Sequence, residues 1–372
     1  MNRGAAARAE TITVRAPGKL FIAGEYAVVS PGEPSVLVAV DRYLTVGLTE
    51  SVGAGSIHSP EYGRMPVVWT RSEGGLTVDR EHHPYDYVFE AITVAERLRA
   101  ERGLAPRFFD LRIDSGLDDV SGRKFGLGSS AAVTVATVRA IDRFYGFDLS
   151  PTELFQIALL ATIQVAPTAS GGDLAASTFG GWIGYRAPDR ELLRQRTAAG
   201  SIDALLRDTA AWEGLEIRRL SAPRDLSFLV GWTGAPASTE RLVDAVGRRS
   251  RAGSIDHTAF LEDSRRCVNG LWTSLETGDD SATLGAVNAA RHILQGLGAQ
   301  SGVSIETPAL RALCEVAESI GAAAKPSGAG GGDCGIVLAP AGADVAGMLR
   351  AWEAHDIRHL TVSVHAPEAE PA

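Results

Sequence analysis

The chain of 372 residues is long enough for two domains, and a composition of 45% hydrophobic and 22% charged residues excludes extensive disorder. Its net charge of −9 argues against a duplex nucleic-acid binder, which usually presents a basic surface. Three cysteines without C-x-x-C spacing exclude a disulfide framework and favour a reducing compartment. Residues 1–10 lack the apolar core of a signal peptide, and no apolar window spans a bilayer, so we expect a cytoplasmic protein without a membrane partner.

In the first half of the chain, hydrophobic periodicity and turn residues predict strands and helices in a mixed order. Strands are predicted at 11–29 (with a turn at 16–18), 35–40, 44–48, 108–113 and 178–185. Helices are predicted at 85–102, 129–145 and 151–163, and loops or short hairpins at 53–75. We expect the second helix to have a serine N-cap and to stop at Gly146, and the third to begin with a Ser150–Glu153 capping box.

The polar, mixed stretch 187–224 predicts a domain boundary, which divides the chain into residues 1–224 and 225–372. In the second part, strands are predicted at 226–232, 335–338 and 360–364, and helices at 239–249, 257–276, 282–297 and 308–323. The tail after His365 has the composition of a disordered segment. Because strands and helices do not alternate strictly, the pattern favours an α+β fold over a doubly wound sheet.

The 41 glycines are more than an average composition provides, and several of them fall in four clusters with polar neighbours. The first cluster, residues 16–26, places Lys19 and Glu25 inside apolar strand sequence. An exposed lysine on a hairpin is one interpretation, since lysine is usually at the surface. The other is a cation held over a site for an anionic substrate.

The second cluster, residues 123–132, leads directly into a predicted helix and favours phosphate binding by the helix N-terminus. Hydroxyls of Ser129 and Ser130 suit a magnesium ion or a phosphate oxygen, although an ordinary N-cap would also explain them. The same residues match the dinucleotide pattern G-x-G-x-x-A, but the polar connection at 115–124 replaces the strand that this pattern requires. The phosphate-binding string G-x-x-x-x-G-K-[ST] does not occur.

The third cluster, residues 169–177, contains Asp173, which is either a functional carboxylate in tightly packed surroundings or a helix cap. The fourth, residues 325–335, has a glycine run between a predicted helix and a predicted strand. Such a run would make an entropically costly linker, so backbone that wraps an anion is the favoured interpretation.

Together and in this order, the four clusters resemble the signature motifs of the GHMP small-molecule kinases, over about residues 11–364. Strings at 24–29, 124–130, 170–177 and 325–333 are most similar to the phosphomevalonate kinase branch of that superfamily. Mevalonate kinases typically have His where Tyr26 stands and a proline-rich lead where 123–125 stands. The chain departs from some members at 162–164, where a magnesium-binding glutamate is expected and no carboxylate occurs, so the second magnesium ligand stays open.

The resemblance implies an N-terminal domain of the ribosomal protein S5 domain 2 type and a ferredoxin-like C-terminal domain. It implies phosphorylation of 5-phosphomevalonate by ATP in isoprenoid synthesis, with Mg²⁺, by a monomer or homodimer. It assigns Lys19 and Asp173 to catalysis and Ser130 to magnesium. The ATP site would comprise Lys124, Gly126, Leu127, Gly128, Ser129, Ser130 and Ala131. The acceptor side would comprise Lys19, Tyr26, Ser170, Gly171, Ser327, Gly328, Ala329 and Gly330.

Adenine contacts are expected from residues 67–87, where Trp69 is either an aromatic contact or a buried core residue. Arg123 and Lys124 are further candidates for phosphate contacts, with solvated surface positions as the alternative.

The chemistry of the acceptor indicates which of the two catalytic residues, Lys19 or Asp173, matters more for turnover. A phosphate monoester has a second pKa of about 6, so its attacking oxygen is largely ionised at neutral pH. A general base then has little to remove, and repulsion between two anions is the obstacle, so Lys19 should matter more than Asp173. Rival functions are a GHMP kinase with an alcohol acceptor, an ATP-dependent decarboxylase, a silent sugar sensor and, through G-x-G-x-x-A, a dehydrogenase.

Overall fold

The computed structural model describes residues 10–60, 65–72, 75–79, 85–119 and 121–368. Within these ranges, the strands form one eight-stranded and one four-stranded sheet. Because helices and antiparallel strand pairs are mixed in both parts, the α+β prediction is confirmed. Among the described residues, no helix combines the length and the apolar character needed to cross a membrane.

The larger sheet contains the strands described within the first 220 residues. These are β1 (Thr11–Ala23), β2 (Pro34–Ser51), β3 (Gly55–His58), β4 (Val67–Ser72), β5 (Gly75–Val78), β6 (Phe108–Ser115), β7 (Trp182–Arg186) and β8 (Glu216–Leu220). The strand order is β5-β4-β3-β6-β2-β7-β8, and β1 pairs antiparallel with β2. The helices of this part are α1 (Asp86–Glu101), α2 (Ser129–Tyr145), α3 (Pro151–Val165), α4 (Gly172–Phe179), α5 (Arg190–Ala199) and α6 (Ile202–Arg207).

The smaller sheet has the order β10-β11-β9-β12. Its strands are β9 (Leu226–Trp232), β10 (Ala323–Pro326), β11 (Cys334–Pro340) and β12 (Arg358–His359). Its helices are α7 (Thr239–Arg251), α8 (His257–Thr277), α9 (Asp280–Ser301), α10 (Pro308–Glu318) and α11 (Val345–Glu353). Residues of both sheets, among them Leu37 and Ile336, belong to one hydrophobic core. The proposed division after residue 224 falls between β8 and β9 and stays a prediction.

Strand β1 differs from its prediction in a way that matters for the site. It runs without a turn through Pro17 and Gly18, where the pairing with β2 shifts register. A bulge accommodates a proline that lacks an N–H donor, and an added Cβ on Gly18 would lie 2.9 Å from Leu117 Cδ2. The expected turn at 16–18 is therefore wrong, and Lys19 lies inside a continuous strand. Likewise, β2 is one strand rather than two.

Other differences lie where tertiary contacts decide the local structure. Residues 172–179 form α4, so the strand expected at 178–185 begins only at Trp182, and α10 stops at Glu318 before β10. The strand expected at 360–364 is reduced to a bridge between Val364 and Val40. The expected disorder after His365 is wrong as far as Glu368, whose carboxylate pairs with Arg139 at 3.1 Å.

Candidate active site

A cavity of about 540 Å³ lies where segments from both sheets meet. Its walls come from β1, from residues 124–131 (the phosphate loop), from the start of α4, from the start of α7, and from residues 328, 329 and 333. All four glycine-containing clusters thus contribute residues to one concave surface.

Lys19 and Asp173 meet in this cavity. Lys19 is only 6% exposed, and its Nζ lies 3.4 Å from Asp173 Oδ2. The backbone N–H of Lys19 donates to the carbonyl of Leu127 at 2.9 Å, which fixes β1 against the phosphate loop. The surface-hairpin alternative for Lys19 is wrong, because a buried ammonium beside a carboxylate is a paired charge in a site.

The phosphate loop reaches α2 through two glycines in the left-handed region, Gly126 (φ 81°) and Gly128 (φ 80°). Gly128 is the N-cap residue, with no side-chain cap among the described residues, so the predicted serine cap is wrong. Ser129 and Ser130 instead line the cavity. The first N–H groups of α2 and the two hydroxyls are therefore available to an anionic ligand.

Asp173 lies in the first turn of α4, whose N-cap is Gly171 in the left-handed region (φ 85°). Ser170 and Gly171 both line the cavity. The carbonyl of Ser170 accepts a hydrogen bond of 2.7 Å from the Tyr185 hydroxyl, and its side-chain oxygen accepts one of 3.3 Å from Gly172 N–H. These bonds fix the backbone that presents the Asp173 carboxylate to Lys19.

The predicted acceptor residues divide into two groups. Gly328 and Ala329 line the cavity, as does Tyr26, whose hydroxyl donates to the Ala329 carbonyl at 2.6 Å. Burial, assisted by the Glu25 charge, raises the pKa of Tyr26 well above its ordinary value, so this hydroxyl remains a donor. Ser327 and Gly330 are not among the lining residues, contrary to their predicted placement.

Packing explains why these two residues point elsewhere. The Ser327 hydroxyl accepts from the Phe21 N–H at 2.8 Å and donates to the Phe21 carbonyl at 3.1 Å. At Gly330, an added Cβ would lie 2.2 Å from the Ile305 carbonyl oxygen. Both residues therefore hold the fourth cluster in place rather than face the cavity.

Asp333, which ends the glycine run of the fourth cluster, is not among the predicted site residues. Asp333 lines the cavity, and its Oδ1 accepts from the Ala237 N–H at 3.1 Å. Burial raises the pKa of this carboxyl to about 6, while Lys19 and Lys124 act in the opposite direction. Residues 237–240 and 243 at the start of α7 were also not selected and line the same cavity.

Lysine usage is a signal that could have identified the site. The chain contains three lysines among 36 basic residues, and all three lie in the glycine-containing clusters. Lys19 and Lys124 line the cavity. Lys325 is fully buried and paired with Glu25, which is also a lining residue. Where arginine is the ordinary cation of a chain, a rare lysine indicates a position that favours a compact ammonium group.

The aromatic candidate for an adenine contact, Trp69, belongs to the core instead. It is fully buried, and its ring centroid lies 5.4 Å from that of Phe108 and 4.9 Å from that of Phe109. From the same predicted stretch, Tyr87 lines the cavity, whereas residues 80–84 lie outside the described ranges. Arg123, a further phosphate candidate, donates to the Gly234 carbonyl at 3.0 Å and does not line the cavity.

Comparison with known proteins identifies this arrangement. Family models for the GHMP kinases N terminal domain and the GHMP kinases C terminal match residues 86–181 and 281–357. A phosphomevalonate kinase of Streptomyces sp. (strain CL190) is 45% identical over 95% of this chain and 97% of its own length. A mevalonate kinase of Thermococcus sibiricus is 27% identical over 88% of this chain and 89% of its own length.

Among solved structures, the Streptococcus pneumoniae phosphomevalonate kinase in complex with phosphomevalonate and AMPPNP superimposes with a TM-score of 0.83. The two sequences are 28% identical, and the match covers 95% of this chain and 99% of that one. The predicted two-domain GHMP architecture is thereby confirmed. The chain belongs to the GHMP kinase superfamily and, within it, to the phosphomevalonate kinase family.

Proposed function

We propose that this protein transfers the γ-phosphoryl group of ATP to 5-phosphomevalonate, giving ADP and 5-diphosphomevalonate for isoprenoid synthesis. The observation that carries this proposal is the buried Lys19, which lies between the phosphate loop and Asp173 in one cavity. Family membership supports ATP as the donor, since the related Streptococcus pneumoniae enzyme forms a complex with an ATP analogue.

The ATP phosphates are assigned to the phosphate loop. Each residue that the sequence analysis gave to ATP lines the cavity, namely Lys124, Gly126, Leu127, Gly128, Ser129, Ser130 and Ala131. The uncapped N-terminus of α2 supplies N–H donors and a favourable dipole for phosphate oxygens. Binding there places the transferred group near Lys19, because an added Cβ on Gly128 would lie 2.8 Å from Lys19 Cε.

A magnesium ion bound with the nucleotide fits the oxygen donors of this site. The Ser130 hydroxyl would hold the ion. Thr162 also lines the cavity, and its buried Oγ1 has no hydrogen-bond partner among the described residues, so it is a further oxygen donor of the site. The described residues contain no cluster of three or more His, Cys, Asp or Glu that could hold a metal without a nucleotide. When bound, the ion neutralises phosphate charge.

In this reaction the side chains of the site compensate negative charge more than they transfer protons. The attacking oxygen of a phosphate monoester is largely ionised at neutral pH, because its second pKa is about 6. The ammonium group of Lys19 offsets repulsion between this anion and the phosphates of ATP. Asp173 orients Lys19 from 3.4 Å away, and its side chain is 35% exposed, so it also reaches the space for an acceptor hydroxyl.

The acceptor side is assigned to Tyr26, Ser170, Gly171, Gly328 and Ala329, all of which line the cavity. Ser327 and Gly330 do not line the cavity and instead hold this segment in place, Ser327 by its hydrogen bonds to Phe21 and Gly330 by packing against Ile305. Whether the protein acts as a monomer or a homodimer stays a prediction.

An ADP-release assay with mevalonate, 5-phosphomevalonate and 5-diphosphomevalonate, run side by side, tests the proposal. We expect 5-phosphomevalonate to be preferred by a large margin, because all four clusters are most similar to phosphomevalonate kinases and the buried Lys19 ammonium group can offset the charge of a phosphate acceptor. Faster ADP release with mevalonate would show an alcohol acceptor. Release of carbon dioxide from 5-diphosphomevalonate would show that the protein is a decarboxylase. Binding of NAD without binding of ATP would show that it is a dehydrogenase.

A further inference from the structure

Asp333 is a carboxylate of the cavity that the proposed mechanism does not use. Its backbone is in the left-handed region (φ 53°), which is unusual for a residue other than glycine. Its N–H donates to the Ala235 carbonyl at 2.8 Å, and its carbonyl accepts from the Thr233 N–H at 2.9 Å. With Oδ1 accepting from the Ala237 N–H at 3.1 Å, the side chain is held in one position from several directions.

The other carboxylate oxygen lies against the phosphate loop. An added Cβ on Gly126 would be 2.6 Å from Asp333 Oδ2, so the glycine is required for this approach. Among the described residues, the charged and titratable groups around the carboxylate are Lys19 of β1, Lys124 of the loop and the Cys334 thiol of β11. An acidic side chain therefore lies where the phosphates of ATP are assigned.

Nucleotide binding changes the electrostatic surroundings of this group. Without ATP, Lys19 and Lys124 favour the ionised carboxylate, while burial disfavours it. With ATP, the phosphates take the two ammonium groups as partners and add negative charge beside Oδ2. Both changes favour the neutral carboxyl group.

We propose that Asp333 takes up a proton from solvent when ATP binds, and that its neutral carboxyl group then donates a hydrogen bond from Oδ2 to a phosphate oxygen. Only the O–H bond forms in this step, and the buffer supplies the proton. The inference rests on the proposed ATP site. It adds Asp333 to that site as a residue that becomes protonated when the nucleotide binds.

The expected pH dependence has a definite sign. In the free protein, the carboxyl titrates with a pKa of about 6, and in the complex its pKa is higher. Below about pH 6 both states carry the proton, so this group contributes no pH dependence. As the pH rises between the two values, ATP affinity falls by up to tenfold per pH unit, since binding then requires proton uptake.

Calorimetric titration of MgATP at pH 7, in two buffers with different ionisation enthalpies, measures this proton uptake. We expect the wild type to take up a substantial fraction of one proton and the Asp333→Asn variant to lack that fraction. Asparagine keeps the shape and the acceptor for Ala237 N–H, so a purely structural role would leave the proton count unchanged. Asp118→Asn, which changes another lining carboxylate, is the matched control and should keep the uptake.

The possible results separate this inference from the proposed function. If the wild type does not bind MgATP, the proposed function itself fails. If ATP binds and the two proteins take up equal numbers of protons, the role of Asp333 is overturned while the ATP site stands. Should Asp333→Asn not fold, the wild type alone decides, because no net uptake between about pH 6.5 and 7.5 contradicts the proposal.

Discussion

Two glycine-rich loops of this protein have similar composition and different uses. In the phosphate loop, Gly126 and Gly128 leave room for the side chains of Asp333 and Lys19, which are polar groups of the site. In the second loop, residues 327–333, the space beside Gly330 and Gly332 is filled by backbone. Added Cβ atoms there would lie 2.2 Å from the Ile305 carbonyl oxygen and 2.3 Å from that of Ala235.

The difference shows that glycine content does not by itself indicate ligand contact. The phosphate loop ends at a helix N-terminus that no side chain caps among the described residues, so its first N–H groups suit an anion. The second loop instead packs between residues 235–242 and Ile305, and of its residues only Gly328, Ala329 and Asp333 line the cavity. Close packing of chain segments thus accounts for Gly330 and Gly332, while backbone that wraps an anion stays a prediction for Gly328 and Ala329.

The largest effect should come from a side chain in the phosphate loop. Gly128→Val should abolish ATP binding while the protein stays folded, because the added atoms overlap Lys19 and block approach to the phosphates. Gly321→Val is the matched control, since Gly321 has the same φ of 80° with open space around its Cα. Calorimetry should show normal ATP binding for the control. Normal binding by Gly128→Val would show that the loop is misassigned.

The next effect concerns the residue for which Gly128 makes room. Lys19→Met should lower kcat by about 10²–10³, the usual loss for one preorganised charge partner, and Asp173→Asn should lower it less. The rate of the Asn variant should follow ionisation of the acceptor phosphate and level off above about pH 7. Measuring kcat against pH for both variants, with folding checked by circular dichroism, tests this order.

A greater loss for Asp173→Asn, with Lys19 still in place, would reverse the ranking. It would mean that the carboxylate transfers a proton in the rate-limiting step. The assignment of the acceptor as an ionised phosphate would then no longer explain the chemistry.

The smallest effect on turnover should come from the second loop. Ser327→Ala removes a buried hydroxyl that pairs with both backbone groups of Phe21, so it should cost about 1–3 kcal/mol of stability. Its kcat should stay closer to the wild type than that of Lys19→Met or Asp173→Asn. Thermal unfolding and steady-state kinetics measure the two quantities, with exposed Ser319→Ala as the control. Unchanged stability with a raised KM for the acceptor would place Ser327 at the substrate instead.

Elements governed by local signals were predictable from the sequence. Helix α2 ends at Tyr145 before Gly146 as predicted, and α3 begins with the predicted capping box of Ser150 and Glu153. Strand β9 has the predicted bounds of 226–232. Short-range hydrogen bonds and regular hydrophobic spacing determine these features, and both can be recognised in a window of a few residues.

Features that depend on distant partners were not predictable in this way. The sequence at 16–18 has the residues of a turn, and pairing with β2 makes it a bulge in a long strand. Trp69 could have stacked on a ligand, and its neighbours Phe108 and Phe109 place it in the core. The same holds for Ser327, whose hydroxyl is paired with Phe21, a residue 306 positions earlier in the chain.

The sequence by itself indicated the chemical groups that we propose for the reaction: Lys19, a helix N-terminus that follows a glycine loop, and Asp173. Their identities and order indicate the family without coordinates. Only the tertiary structure decided which of the other candidates face the cavity, because that depends on contacts between segments that are distant in the sequence. It assigned Ser327 and Gly330 to packing and brought Asp333 against Gly126, since close packing leaves each buried side chain one position to occupy.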